Sequence, residues 1–309
     1  MRIVFFGTPE FAVPALEALI EGPDHVAAVV CQPDKPAGRG QHLAVPPVKR
    51  LALAAGVPVL QPAQLRTPDF AEVLRPLAPD LIVVAAYGKI LPQSLLKLPP
   101  LGCINVHASL LPKYRGAAPI QWAILCGERT TGITIMQMNE RMDAGDILAQ
   151  HETHIGDAET YGELQERLAE LGASILLEAL VELCVGRLHA RAQSEADVTL
   201  APMIKKDDGR IDWTQSAVHI ARMVRAFNPW PSAFTHLGGK LLKIHCAHAR
   251  SDAARAAPGT VADTRGAVVV ATGDGELELS EVQLEGRKRM SGAEFARGGH
   301  LTMGTVLGE

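Results

Sequence analysis

The sequence predicts a doubly wound, mostly parallel α/β sheet followed by a small β-barrel. Three observations lead there. Near-continuous apolar runs, "RIVFF" (2–6), "HVAAVVCQ" (25–32) and "LIVVAAY" (81–87), alternate with helical segments, the pattern of strands covered by helices on both faces. Beyond about residue 205, short strands and tight turns replace that alternation. The length of 309 residues is also long for one domain and comfortable for two.

Taken in order, "RIVFF" leads into a helix whose first turn carries Pro9 and Glu10, both ordinary helix-starting residues. "GCINVHA" (102–108) and "GITIMQM" (132–138) continue the sheet. A helix from Thr160 to Gly186 closes this part, with Leu164, Leu168, Leu171, Ile175 and Leu183 in a stripe at helical spacing. Residues 1–187 form the first domain, 188–205 a linker without periodicity, and 206–309 a β-rich, OB-like second domain. The last contains one helix (about 215–227), turns at Gly238-Gly239 and "GDG" (273–275), and the strands "AVVVATG" and "ELELSEV".

Composition narrows the class. Hydrophobic residues at 47% with 21% charged residues are enough for a sizeable core. No apolar run approaches the roughly 18 residues needed to cross a bilayer, and "MRIVFF" has no signal-peptide layout. Five scattered cysteines, never paired as C-x-x-C, read as buried free thiols. A cytoplasmic, monomeric enzyme without membrane contact is expected. The net charge of −4 hides an asymmetry: from residue 201 onward there are 14 Lys+Arg against 12 Asp+Glu, and 16 against 22 before it. A polyanion would find the second domain more welcoming than the whole.

The first strand–turn–helix invites a Rossmann-like dinucleotide reading, which its residues reject. Gly7-Thr8-Pro9-Glu10 puts Pro9, which has no N–H, where the backbone should approach a pyrophosphate. Glu10 then places a negative charge where the phosphate would sit. NAD is not expected.

The chemistry concentrates in "INVHASLLPKYRGAAP" (104–119). Asn105 and His107 lie two residues apart at the carboxyl end of a strand, so both point to one side, at the edge where open α/β sheets place ligands. "MNERMDAGDIL" (138–148) supplies Asp143 and Asp146 on a loop predicted at the same edge. An Asn can donate to a developing oxyanion. A His can carry protons between incoming and leaving groups, with an Asp holding its tautomer. That combination suits acyl transfer to an amine, which needs no protein nucleophile, and none is evident.

At these residues the chain resembles the folate-dependent formyltransferases. The resemblance rests on "NVHASLLPKYRGAAP", the 38-residue spacing from Asn105 to Asp143, and "MDAGD". With "FFGTPEFA", "QPDKPAGRG", "VVAAYGKILP", "TIMQM", "RAFNPWPSAF" and "ATGDG" it runs the full length, toward the tRNA-formylating branch. It implies that Asn105, His107 and Asp143 are catalytic. It implies that 10-formyltetrahydrofolate gives its formyl group to the amino group of methionine esterified on initiator tRNA. It further implies that Ser109, Leu110, Leu111 and Pro112 contact the folate, and that Tyr87, Gly88, Lys89, Ile90 and Leu91 hold the pterin by backbone groups. By the same resemblance the loop "QPDKPAGRGQHLAVPPVKR" (32–50), with Lys35 and above all Arg39, meets the tRNA acceptor arm. Lys205, Lys206, Arg287, Lys288 and Arg289 would add a weaker surface along the tRNA backbone, together with Arg210, Arg222 and Arg225. Trp230 in "FNPWP" is read as a packing residue.

His151 and His154 in "HETH" lie in a strand-like segment and point to opposite faces. The pair His245/His248 has the same fault, so no metal is expected. Within the family the rivals are a formyltetrahydrofolate hydrolase, with water replacing the amine, and a sugar-nucleotide formyltransferase. The basic loop and the basic second domain argue against the hydrolase, and the loop, which a sugar-nucleotide formyltransferase would lack, argues against the other. A non-catalytic tRNA-binding relative would lack the Asn, His or Asp, and all three are present.

Overall fold

In the computed structural model, which describes residues 1–37, 42–66, 68–250, 253–254, 256–299 and 301–308, the apolar runs become strands of one sheet. In chain order the first part contains β1 (Arg2–Gly7), α1 (Val13–Glu21), β2 (His25–Val30), β3 (Lys35–Ala37), β4 (His42–Ala44), α2 (Pro47–Ala54) and β5 (Val59–Leu60). Then come α3 (Pro68–Leu74), β6 (Leu81–Ala85), α4 (Gln93–Leu96), β7 (Cys103–His107), β8 (Arg115–Gly116), α5 (Pro119–Cys126), β9 (Thr130–Gln137), β10 (Ile147–His154) and α6 (Tyr161–Cys184). A seven-stranded sheet runs β10-β9-β7-β6-β1-β2-β5 among the described residues. Apart from the exposed first residue of each, β1 and β2 are buried along their length, as is all of β6. Helices therefore cover both faces, which is why these strands do not alternate in sequence.

The five strands from β5 to β7 pair in parallel. The chain steps outward from β1 to β2 and β5, then returns to β6 on the other side. Between β1 and β6 lies the switch point where ligands settle in such sheets. The turn after β1 is structural: Pro9 precedes a 3₁₀ turn (Glu10–Ala12) that feeds α1. Phe6, Phe70, Leu74, Ile82, Val84, Tyr87, Leu91 and Leu95 pack one face of the core.

One expectation fails in direction. "GITIMQM" forms β9, but β9 runs antiparallel to β7, and β10 antiparallel to β9. The loop after β9 thus leaves the sheet beside Cys103, the first residue of β7, whose carbonyl accepts from Met138 N at 2.8 Å. It does not leave at the carboxyl edge. An apolar run carries no sign of its strand's direction, so the error is intrinsic to the reading.

The chain divides into two compact units, residues 1–119, 130–154 and 165–202, and residues 120–129, 155–164 and 203–309. The stretch 188–205 accordingly falls in two parts. Its earlier part includes β11 (Leu200–Ala201), parallel to β8.

The second unit contains α7 (Ala217–Ala226), β12 (Ala233–Leu237), β13 (Lys240–Arg250), β14 (Val261–Asp263), β15 (Val268–Ala271), β16 (Glu276–Leu284), β17 (Met290–Ser291) and α8 (Gly292–Arg297). Its strands form an antiparallel half-barrel in the order β12-β13-β16-β15-β14, with β17 on β16. Ser216 caps α7 by accepting from His219 N, and Ile220, Met223 and Val224 bury the inner face of the helix, which packs on β13. A buried hydrogen bond from Trp213 Nε1 to Thr235 Oγ1, 3.1 Å, ties the entry segment to β12.

All five cysteines are free, but only Cys31 and Cys103 are buried; Cys126 and Cys184 end their helices exposed. Burial pushes the Cys31 thiol up to about 11 and the Cys103 thiol up to about 12. Both are therefore inert at neutral pH.

Candidate active site

β7 presents Asn105 and His107 on one face, Asn105 half-buried and His107 only 5% exposed. Asn105 lies between Val84 and Met136 in the sheet register, and His107 beside Thr134. His107 Nε2 is 3.0 Å from the Tyr114 carbonyl oxygen. A carbonyl can only accept, so Nε2 carries the hydrogen and Nδ1 is the nitrogen free to exchange protons. Asp143 Oδ1 stands 3.8 Å from Nδ1, near enough to pair with an imidazolium and too far for a hydrogen bond. The tautomer is thus set by Tyr114, where the sequence pointed to the aspartate.

Asp143 reaches His107 because its loop folds back over the sheet. The loop is closed by Gln137 N donating to Asp146 O at 2.8 Å. Gly145 packs so tightly there that a Cβ would collide with the Gln137 carbonyl oxygen. Asp143 itself has φ of 50°, a left-handed conformation that a non-glycine residue holds only when its surroundings insist. Its Oδ2 accepts from Gly116 N at 2.9 Å. Asp146 serves the loop through its carbonyl. The Asn105 amide makes no hydrogen bond among the described residues, and it sits beside this pair on a half-exposed face.

The expected folate wall is internally braced. Ser109 is fully buried and its hydroxyl donates to Lys113 O at 2.6 Å, so it is turned inward and has no base to activate it as a nucleophile. Thr134 Oγ1 donates to Ser109 O and accepts from Leu111 N, while Gln150 Nε2 donates to Leu111 O. Leu110 is half-buried, Leu111 buried, and the Leu111–Pro112 peptide is cis.

In the loop after β6, Tyr87 is a core residue. Its ring meets Phe6 edge-on at 5.2 Å, its hydroxyl is buried without a partner among the described residues, and burial pushes it up to about 12. Its carbonyl accepts from Gln32 Nε2 at 2.8 Å. Lys89 Nζ donates to Ala63 O, Leu91 is buried, and Ile90 is exposed.

Of the predicted cationic residues, Lys35 opens the β3–β4 ribbon and donates to Gln32 Oε1 at 2.9 Å. Arg39 lies outside the described residues. Lys205 precedes a 3₁₀ turn (Lys206–Gly209), and both lysines are exposed. Arg287 and Lys288 are exposed after β16, whereas Arg289 is paired with Glu281. Arg225 is turned inward onto the carbonyls of Gly156 and Glu159 and so does not offer the surface expected of it, while half-buried Arg222 lies against Gly127. Trp230 is 52% exposed, contrary to its reading as a packing residue. The turn around it is held instead by Ser232 N donating to Phe227 O and by Asn228 Nδ2 donating to His245 O.

Sequence reasoning missed Tyr114, Gly116, Thr134, Gln150 and Gln193. Tyr114 and Gly116 act through peptide groups, which every residue has, and Gln193 is 50 residues from the loop it touches. Among the described residues no three His, Cys, Asp or Glu side chains are grouped to hold a metal ion.

Comparison with known proteins identifies the family. Residues 1–180 match the family described as formyl transferase, and residues 203–300 its C-terminal domain. A methionyl-tRNA formyltransferase of Myxococcus xanthus is 53% identical over 305 residues, 98% of this chain and 97% of that one. The protein of the same name from Desulfotalea psychrophila is 51% identical over 308 residues, covering 99% and 95%. Among solved structures, HypX from Aquifex aeolicus in complex with tetrahydrofolic acid shares the fold at a TM-score of 0.62 and 20% identity. That likeness covers 96% of this chain and 46% of HypX, so this chain spans less than half of that larger protein. The chain belongs to the formyl transferase family, with the N-terminal and C-terminal domains of that family both present.

Proposed function

We infer that the protein transfers the formyl group of 10-formyltetrahydrofolate to the α-amino group of methionyl-initiator-tRNA, giving N-formylmethionyl-tRNA for the start of translation. The observation that carries this reading is the grouping of Asn105, the His107–Asp143 pair and an inward-turned Ser109. It is a site suited to moving a proton and stabilising an oxyanion, with no activated nucleophile among the described residues. The full-length relatives named methionyl-tRNA formyltransferase support the choice of amine. They favour it over water, as in a formyltetrahydrofolate hydrolase, and over an amino sugar. A monomer acting in the cytoplasm, where translation starts, and feeding on one-carbon metabolism accords with it.

The residues present suit a folate. Half-buried Leu110 and exposed Ile90 offer apolar surface on segments whose backbone is held in place by Gln32, Thr134 and Gln150, the kind of fixed apolar slot a flat heteroaromatic ring needs. The donor supplies an activated formyl carbon; the protein supplies the rest. Asn105 donates to the formyl oxygen as negative charge develops there. The amino group of an aminoacyl ester, with a pKa of about 8 or less, is partly neutral at pH 7 and forms the new C–N bond itself. His107 Nδ1 takes the proton that this nitrogen releases and returns it to folate N10 as the old C–N10 bond breaks. Asp143 stabilises the intervening imidazolium, which keeps its Nε2–H on Tyr114. Lys35, Arg39, Lys205, Lys206, Arg287 and Lys288 meet tRNA phosphates, with Arg289 secondary because it is already paired.

The test is a formylation assay with purified protein, 10-formyltetrahydrofolate and either charged initiator tRNA or free methionine. Formylation of the charged tRNA alone is expected. Equal use of free methionine, or donor hydrolysis without tRNA, would overturn the reading.

A further inference from the structure

The side chains that hold the catalytic pair in place come from a stretch with no assigned role, residues 191–201. Two short pieces of chain do the immediate holding. The strap 114–116 binds His107 through the Tyr114 carbonyl and Asp143 through the Gly116 N–H. The loop 138–146 carries Asp143 in its left-handed conformation. Both are gripped from behind by the same stretch. Gln193 Nε2 donates to Asp143 O at 2.9 Å and to Gly145 O at 2.7 Å, using both hydrogens on the loop. Its Oε1 accepts from Arg115 Nε at 3.0 Å, which ties the loop to the strap.

Thr199 holds the strap itself. Its Oγ1 accepts from Tyr114 N at 2.8 Å and its carbonyl from Arg115 N at 2.9 Å. Parallel pairing of β11 with β8 continues the grip, and Ala201 O leaves no room for a side chain at Gly116. Arg115, 6% exposed, is also paired with Glu195 at 3.4 Å, and Glu195 reaches Arg141 of the loop at 3.3 Å. Upstream, Arg191 exchanges backbone hydrogen bonds with Ile147 at the start of β10.

We propose that Gln193 and Thr199 are positioning residues for the formyl-transfer reaction, fixing Asp143 and Tyr114 so that His107 Nδ1 faces its carboxylate. The proposal rests on the reading of Asn105, His107 and Asp143 as catalytic. It requires that loss of either residue lower kcat and leave substrate binding alone, because neither forms the folate wall or carries charge toward the tRNA.

The experiment compares steady-state kinetics of Gln193→Ala, Gln193→Glu, Thr199→Val, Thr199→Ser and Asp143→Ala. Gln193→Glu keeps the acceptor for Arg115 and loses both donors to the loop. It should therefore fall with Gln193→Ala, each about 10- to 100-fold in kcat, with both KM values within about twofold. Thr199→Val removes the acceptor for Tyr114 N–H and should cost about tenfold in kcat, while Thr199→Ser keeps it and stays within about twofold. If Gln193→Ala fails to fold, the Gln193→Glu variant and the Val/Ser pair decide alone. Wild-type kcat in Gln193→Glu, or equal activity of the two Thr199 variants, overturns the positioning role while leaving an inactive Asp143→Ala to uphold the catalytic reading. An active Asp143→Ala overturns both.

Discussion

The proton arrangement of His107 is set by a peptide carbonyl. With Nε2–H held by Tyr114 O, the ring presents Nδ1 toward Asp143 and cannot flip without losing a buried hydrogen bond. His107→Ala should lower kcat by about 10²- to 10⁴-fold, and Asn105→Ala by about 10²- to 10³-fold, with tRNA affinity by filter binding unchanged in both. Comparable turnover in either variant would remove that residue from the mechanism. These two residues were legible in the sequence because a polar pair at the end of an apolar strand has to be explained by something. Tyr114 and Gly116 were not, since they act through groups common to all residues. Ser109 shows the opposite case: it is a suggestive side chain whose hydroxyl is spent on Lys113 O.

At the scale of elements, the reversed β9 decides how Asp143 arrives. Strand existence was legible from β-branched, apolar runs, but direction was not, because it depends on which neighbour the strand pairs with. With β9 antiparallel to β7, the connection to β10 has to fold back to bring its carboxylate to His107, and Gly145 sets how closely it can do so. Gly145→Ala pushes a methyl against the Gln137 carbonyl. It should destabilise the protein by about 2 kcal/mol or more, read as a lower Tm by circular dichroism, and should depress kcat more than either KM. An unchanged melt and unchanged kcat would show that the loop has slack. The stretch 188–205 illustrates the limit of composition: without periodicity it looks like a tether, yet Gln193 and Thr199 each make specific contacts from it.

For the molecule as a whole, charge is the property most visible in sequence, though its placement was not. The excess of basic residues beyond position 201 was countable. That Arg225 turns inward and that Arg289 is neutralised by Glu281 depends on packing that spacing does not encode. If Lys35, Arg39 and the exposed Arg287 and Lys288 meet phosphates, raising monovalent salt from about 50 to about 200 mM should raise the KM for tRNA steeply and barely alter that for the folate. Arg39→Ala should raise the tRNA KM at every salt concentration and reduce the slope of log KM against log salt by about one. Arg289→Ala should do little. A salt-independent tRNA KM would show that the contact is made by other means.

The grip on the His107–Asp143 pair has a consequence for how such a protein can vary. Tyr114 offers His107 a carbonyl and Gly116 offers Asp143 an N–H, and no exchange of side chains deletes a carbonyl. Of these two atoms, the carbonyl survives Tyr114→Ala untouched, whereas any side chain at Gly116 collides with the Ala201 carbonyl and disturbs more than the N–H. An amide-to-ester replacement that swaps the Gly116 N–H for oxygen would reach one of them directly. Side-chain exchange therefore reports on these contacts either not at all, as at Tyr114, or too broadly, as at Gly116.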